Sequence, residues 1–413
     1  MNAEIIAVGS ELLLGQIANT NAQFLSKQLA ELGVNVYYHT VAGDNAGRLL
    51  NAIETAEQRS DFIVFTGGLG PTKDDLTKET IAKHLNCPLV TDEDALKSIY
   101  AYFNRTGRTA TENNKKQALV LEGSSVLSND HGMAPGMFYQ GAGHVYMLLP
   151  GPPKEMQPMF MQYGATVIRG LMNQSDQIFS RVLRFYGIGE AQLETELEDL
   201  LENQSNPTIA PLASDGEVTL RITAKHSSAS AASEMIQSVQ DEILGRVGQF
   251  CYGFDDTSLV EEVVNSLKKQ NATVTGAESL TGGMFQEQIT SIPGASNVFR
   301  GGLVSYSNEV KAKVLGVSEQ TIKLHGVVSE QCAIEMADGA KALFNSDYAI
   351  SFTGVAGPDG LEGKPSGTVY IGVASPNRAT EAFLVQMGNS SREQIRIRSV
   401  KKGCSLLLKV LQD

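Results

Sequence analysis

Apolar positions in this chain recur with two periods, and their alternation predicts a series of strands and helices. Glu4–Val8 is a short apolar run, so it predicts a strand. Asn21–Leu32 carries Phe24, Leu25, Leu29 and Leu32 at helical spacing and stops at Gly33. Val34–Val41 predicts a second strand, and a helix runs from Gly43-Asp44-Asn45 to about Arg59. Asp61–Thr66 is apolar almost throughout, the mark of a strand buried on both faces. A glycine-rich stretch follows it, and Thr77–Leu85 predicts the next helix. Strands alternating with helices over short links predict a parallel, doubly wound α/β sheet for residues 1–168. Ligands of such sheets sit beyond the carboxyl ends of the strands, where Glu11, Asp44, Gly67–Asp75 and Leu149–Glu155 all fall.

The pattern then changes. Across 169–252, Ser180–Tyr186 predicts a strand that ends in Gly187-Ile-Gly-Glu. Ala191–Leu201 predicts one acidic amphipathic helix through Leu193, Leu197, Leu200 and Leu201. Glu217–Ala224 alternates with period two, and a helix reaches about Leu244. This is a small α+β module. Residues 253–413 return to alternating elements: a helix over Leu259–Lys269, an apolar run through Ala272 and Val274, a helix over Ser329–Phe344, and a buried strand over Tyr348–Phe352. Ile334, Ala337, Ala340 and Leu343 read as the inner stripe of the second of these helices. Gly367–Ala374 and Glu381–Met387 predict an antiparallel pair, and a final helix starts at Ser391.

Composition narrows the function classes. The chain has 413 residues, of which 42% are apolar and 19% charged, as in ordinary globular proteins. Its formal net charge is −13, so it lacks the basic field that non-specific binding to nucleic acid or an anionic membrane requires. The acid in Gly187-Ile-Gly-Glu argues the same way for the middle module, since a backbone clamp would want Lys or Arg there. Cys87, Cys251, Cys332 and Cys404 form no C-x-x-C pair and read as reduced thiols. With no signal-peptide pattern and no apolar run of membrane-spanning length, the expected location is the cytoplasm.

Two stretches carry candidate chemistry. Ala277-Glu-Ser-Leu-Thr-Gly-Gly puts Ser279 where a strand ends and a helix begins. Backbone N–H groups of Thr281, Gly282 and Gly283 at such a start can hold a developing oxyanion. The next strand–helix unit delivers Tyr306 and Lys311. A lysine in a partly dry pocket loses basicity and can act as a general base for a serine nucleophile. A plain helix start would use the same turn. The other stretch is Gly67-Gly-Leu-Gly-Pro-Thr-Lys-Asp-Asp-Leu-Thr. Gly67, Gly68 and Gly70 let the backbone approach a phosphate, with Thr72 beside them. Asp74 and Asp75 are hard oxygen ligands for a divalent metal, and one of them could equally cap the following helix.

These residues carry a resemblance. Gly9-Ser-Glu-Leu-Leu-Leu-Gly-Gln, the Thr66–Thr77 stretch and Leu149-Pro-Gly-Pro-Pro-Lys-Glu-Met resemble the N-terminal domain of the CinA family, itself similar to the molybdopterin-binding fold. The resemblance implies a metal-dependent ADP-ribose pyrophosphatase domain at 1–168, with Glu11, Asp44, Asp74 and Asp75 toward a cobalt, magnesium or manganese ion and potassium as a further candidate. The alternative for this domain is a molybdopterin or nucleotide module that binds without hydrolysis. For 169–252 the resemblance implies a KH-like linker. Ala277–Gly283, Gly301–Lys311, Gly326-Val-Val-Ser-Glu and Thr353-Gly-Val-Ala-Gly-Pro-Asp-Gly resemble the family's nicotinamide-nucleotide amidase domain, here 253–413. The family's catalytic set then falls on Ser279, Tyr306 and Lys311, with no cofactor and with Tyr306 relaying the proton or positioning the lysine. Thr353, Gly354, Gly357 and Arg392 are candidates for the substrate phosphate. One departure is Leu280, where the family usually has cysteine. The implied whole is a bifunctional homodimeric hydrolase of nicotinamide mononucleotide and ADP-ribose. A competence-related interaction protein is the remaining alternative.

Overall fold

In a computed structural model, residues 1–171, 177–214, 216–388 and 390–412 are described. Contacts divide the chain into two compact units, one of 1–180 with 223–236 and one of 181–222 with 237–413.

The first unit is built on a sheet of β1 (Asn2–Val8), β2 (Asn35–Ala42), β3 (Phe62–Thr66), β6 (Ser125–Leu127), β7 (Gly136–Gly141) and β8 (His144–Leu149), while β4 (Leu89–Thr91) and β5 (Leu119–Leu121) form a separate pair. The order is β2-β1-β3-β8-β7-β6. The first four strands are parallel, and β8-β7-β6 are antiparallel. The hairpin is the departure from an all-parallel expectation. Ala142 and Gly143 both have positive φ, 53° and 84°, the backbone a tight two-residue hairpin turn requires. Side chains alternate across the sheet. Ile5, Phe62, Val64, Met147 and Leu149 enter one core, and Ile6, Ile63, Phe65, Tyr146 and Leu148 the other. Both faces are therefore covered, which is why the central strands read as continuous apolar runs.

A four-stranded sheet joins β9 (Gln177–Tyr186), β10 (Thr208–Ser214), β11 (Glu217–His226) and β12 (Cys251–Phe254) in the order β10-β11-β9-β12. The expected helix Ala191–Leu201 is two short ones, Glu190–Glu196 and Glu198–Glu202. They break at Leu197, whose ψ of 13° leaves the helical range while its side chain is fully buried.

The second unit holds β13 (Val274–Glu278), β14 (Phe299–Val304), β15 (Tyr348–Gly354), β16 (Thr368–Ala374) and β17 (Glu381–Gln386) in the order β14-β13-β15-β16-β17. β14, β13 and β15 are parallel; β16 and β17 add antiparallel. The helix Glu330–Phe344 covers one face through Cys332, Ala333, Met336, Ala337 and Ala340. Leu343, expected on that stripe, is exposed, because the buried face runs one position earlier, through Cys332 and Met336. The helix Arg392–Gln412 covers the other face through Ile395, Val400, Leu407 and Leu411. Each such side chain contributes about 1.5–3 kcal/mol on burial. Parallel β13, β14 and β15 end at the same side, and the chemistry gathers there.

Candidate functional site

β13 ends in Glu278, which is completely buried. Its carboxylate accepts hydrogen bonds from the N–H groups of Gly283 at 2.9 Å, Phe285 at 3.2 Å and Gln286 at 3.0 Å. The start of the helix Met284–Ser291 therefore already holds an anion from within the chain. This corrects the expectation that its N–H groups stand open. The Gly282 N–H is also committed, to the Ser279 carbonyl. Among the described residues the N–H groups of Leu280 and Thr281 have no hydrogen bond, so of the three N–H groups expected to stand open only that of Thr281 does.

Ser279 follows directly, and its own N–H donates to the Phe352 carbonyl at the end of β15. That bond holds the serine against the sheet edge. β14 leads through Ser305 and Tyr306 into the helix Asn308–Leu315, whose start is capped by the Ser307 side chain. Lys311 lies in its first turn and is 1% exposed. Its Nζ donates to the Ser305 carbonyl oxygen at 2.7 Å and to Ser279 Oγ at 3.1 Å. Burial lowers the Lys311 pKa from its ordinary value, opposed by the charge of Glu362. The neighbouring Cys332 thiol is pushed up to about 12, again by burial, so it stays uncharged near neutral pH. Lys311 thus faces the serine directly, and its burial makes it a weaker base than a lysine in water.

Tyr306 is 64% exposed, on the rim. Its phenol oxygen accepts from Arg392 Nη2 at 3.3 Å, and Arg392 Nη1 donates to the Gly357 carbonyl at 2.8 Å. Tyr306 makes no hydrogen bond to Ser279 or Lys311 among the described residues. The serine–lysine contact is direct, and the expected relay through the phenol has no place in this geometry. A cleft of about 250 Å³ is lined by Ser279, Tyr306, Lys311, Thr353, Gly354, Gly357 and Arg392, joined by Asn308 and Asp359. The Thr353 hydroxyl is turned away from a ligand, donating to the Val327 carbonyl.

In the first unit, Gly67 and Gly68 have φ of 105° and 70°. A β-carbon on Gly67 would lie 2.2 Å from the Val8 carbonyl oxygen, and one on Gly68 2.1 Å from Thr77 Oγ1. Only glycine fits either place. The four expected metal carboxylates do not converge. Asp75 Oδ2 accepts from both the N–H and the hydroxyl of Thr72, at 2.8 and 2.6 Å. It braces the turn and does not cap the helix Thr77–His84, which has no side-chain cap. Asp44 Oδ2 accepts from the Ser10 N–H at 2.9 Å. Asp74 is exposed. Glu11 lines a small cleft with Thr66 and Gly151. Among the described residues no group of three or more His, Cys, Asp or Glu side chains could hold a metal ion. The residues present do not form a ready metal cage.

The whole chain is 60% identical over 411 residues to a protein of Geobacillus sp. (strain WCH70) named "Putative competence-damage inducible protein", covering 100% of this chain and 99% of the other. A protein of the same name from Bacillus cereus (strain AH820) is 57% identical over 413 residues, with both chains covered in full. The chain belongs to the CinA family. Residues 256–411 match the family described as the CinA C-terminal domain, 180–253 the Damage-inducible protein CinA KH domain, and 4–170 the "Probable molybdopterin binding domain". The crystal structure of a CinA protein of unknown function from Thermoplasma acidophilum is 35% identical, covering 40% of this chain and 97% of that one, with a TM-score of 0.37. The three family matches give this CinA chain a three-domain α/β architecture. Among its described residues no helix is long and apolar enough to cross a membrane.

Sequence reasoning passed over Glu278 in this CinA chain, although it adjoins Ser279. The available signal was an acid at the end of an otherwise apolar strand, five residues before Gly283. It placed Arg396 near the start of the last helix but gave it no role; its Nη2 donates to the Thr281 carbonyl at 2.9 Å and pins the turn. No local pattern in the sequence announces that contact.

Proposed function

We propose that the second unit deamidates nicotinamide mononucleotide to nicotinate mononucleotide and ammonia. The observation that carries this reading is the 3.1 Å contact between Ser279 Oγ and a buried Lys311, whose basicity that burial lowers. Neutral Lys311 takes the Ser279 proton as Oγ attacks the carboxamide carbon. The Leu280 and Thr281 N–H groups receive the oxyanion. The lysine ammonium then protonates the departing nitrogen, and ammonia leaves an acyl-enzyme. Lys311 then takes a proton from water as it attacks the ester, the bond to Ser279 Oγ breaks, and Lys311 returns that proton to Oγ as nicotinate mononucleotide leaves. Arg392 on the rim supplies a cation for the substrate phosphate. The test is incubation of the pure protein with nicotinamide mononucleotide and EDTA. Equimolar ammonia and nicotinate mononucleotide are expected, and their absence rejects the reading.

The position of Tyr306 leads to a second expected result. Tyr306→Phe should lower kcat/KM by no more than about tenfold, because it removes one rim contact, whereas loss of a proton relay would cost about 10²–10⁴-fold. Steady-state ammonia release measures the difference.

For the first unit we carry a nucleotide-phosphate module, with hydrolysis of ADP-ribose to AMP and ribose 5-phosphate as its reaction. The bare backbone at Gly67 and Gly68 favours it. Product analysis of ADP-ribose incubated with cobalt, magnesium or manganese, against an EDTA control, separates hydrolysis from binding alone.

A further inference from the structure

We infer, on the reading of the serine–lysine cleft as a nucleotide deamidase, that Asp359 selects for a positively charged ring there. The site then takes the oxidised, pyridinium form of a nicotinamide nucleotide in preference to the uncharged dihydro form.

Among the described residues, three charged side chains line the cleft: Lys311, Arg392 and Asp359. Lys311 is committed to Ser279 and the Ser305 carbonyl, so the reacting carboxamide belongs at that end. Arg392 stands on the rim beside Tyr306 and the Gly357 carbonyl, at the end left for the phosphate. Asp359 is the one carboxylate on the cleft wall. It is exposed, and it makes no hydrogen bond or ion pair among the described residues. A carboxylate in that place repels the phosphate, so its complement is another part of the ligand. A nicotinamide nucleotide carries a positive charge on the ring nitrogen, between the carboxamide and the phosphate. Reduction to the dihydro form removes that charge and leaves the outline of the molecule nearly unchanged. The cleft encloses about 250 Å³, so a ligand that spans it runs close to every wall. Coulomb attraction falls only as the inverse of distance and needs no direct contact.

Exposure does not leave Asp359 adrift, because its segment is fastened on both sides. Arg392 Nη1 donates to the Gly357 carbonyl at 2.8 Å. Leu361 and Lys364 exchange backbone hydrogen bonds at 3.0 and 2.9 Å, which closes a two-residue hairpin. At its tip the Glu362 carboxylate accepts from the N–H groups of Val327 at 3.0 Å and Val328 at 3.1 Å, and both of these residues line the cleft. Glu362 is thus committed to the backbone, and Asp359 is the acid of this loop left for a ligand. A charge on a fastened loop acts on the ligand without a large ordering cost.

Calorimetric titration of the full-length Ser279→Ala protein with nicotinamide mononucleotide and with its dihydro form tests this, because that variant holds the ligand without turning it over. The oxidised form should bind about tenfold more tightly, the effect of one charge pair partly screened by solvent. Asp359→Asn in the same background should bring the ratio close to one by weakening the oxidised form alone. Asparagine keeps the shape of the side chain at an exposed position, so folding is not at stake. Equal binding of the two forms before that change, no binding of either, or a preference that survives it overturns the inference. A loss that falls on both forms alike marks a structural role for Asp359 and overturns it too. Ammonia release by the native protein without the preference rejects the charge selection alone. The preference in a protein that never releases ammonia rejects the deamidase reading and leaves a pyridinium-selective cleft standing.

Discussion

Ser279→Ala is expected to abolish ammonia release from nicotinamide mononucleotide, with a loss of at least about 10⁴-fold in kcat, as when the nucleophile of a known serine hydrolase is removed. The fold should be untouched. The N–H that ties residue 279 to the Phe352 carbonyl belongs to the backbone, and among the described residues the serine hydroxyl has one hydrogen bond, from Lys311. Thermal unfolding of the variant should match the native protein. Turnover of ADP-ribose in the same preparation should also be unchanged, because Ser279 belongs to the second unit and the glycine turn to the first. Deamidation that persists in a folded Ser279→Ala protein would reject the serine as nucleophile.

Lys311→Met is expected to lower kcat by about 10³-fold, within the range for loss of a positioned general base. Methionine replaces the stem of the lysine without its charge. The variant gives up the bond to the Ser305 carbonyl but also the cost of a buried ammonium, so stability should stay within about 1 kcal/mol of native. Burial holds the native Lys311 pKa below the ordinary 10.5, so the active base appears at a lower pH than for a lysine in water. Deamidation by the native protein should therefore rise with pH through that lowered value and then level off, and the variant should lose this limb. The same shift predicts the sign for stability. Between the lowered folded value and 10.5 the unfolded chain binds the extra proton, so native stability rises with pH across that window. Lys311→Met should flatten the rise. A pH–rate profile and denaturant midpoints across the window measure both effects. A variant with native activity or an unchanged alkaline limb would remove Lys311 from the mechanism.

The sequence by itself determined the layered α/β architecture. Runs such as Phe62–Thr66 and Tyr348–Phe352 are apolar at successive positions, which only a strand covered on both faces tolerates, and those strands lie at the centres of their sheets. It also marked Ser279 and Lys311, because each stands just past a parallel strand, where such sheets bring loops together. Only the tertiary structure decided which of the expected groups meet. Glu278, not a ligand, occupies the helix start beside Ser279, since a buried carboxylate needs donors and three were within its reach. Tyr306 follows its strand outward to Arg392, and Asp75 turns back on Thr72. Side-chain direction depends on backbone turns and on partners dozens of residues away. Periodicity reports which face of an element is buried, and it carries no information about where a polar group at the end of that element will find its hydrogen bonds.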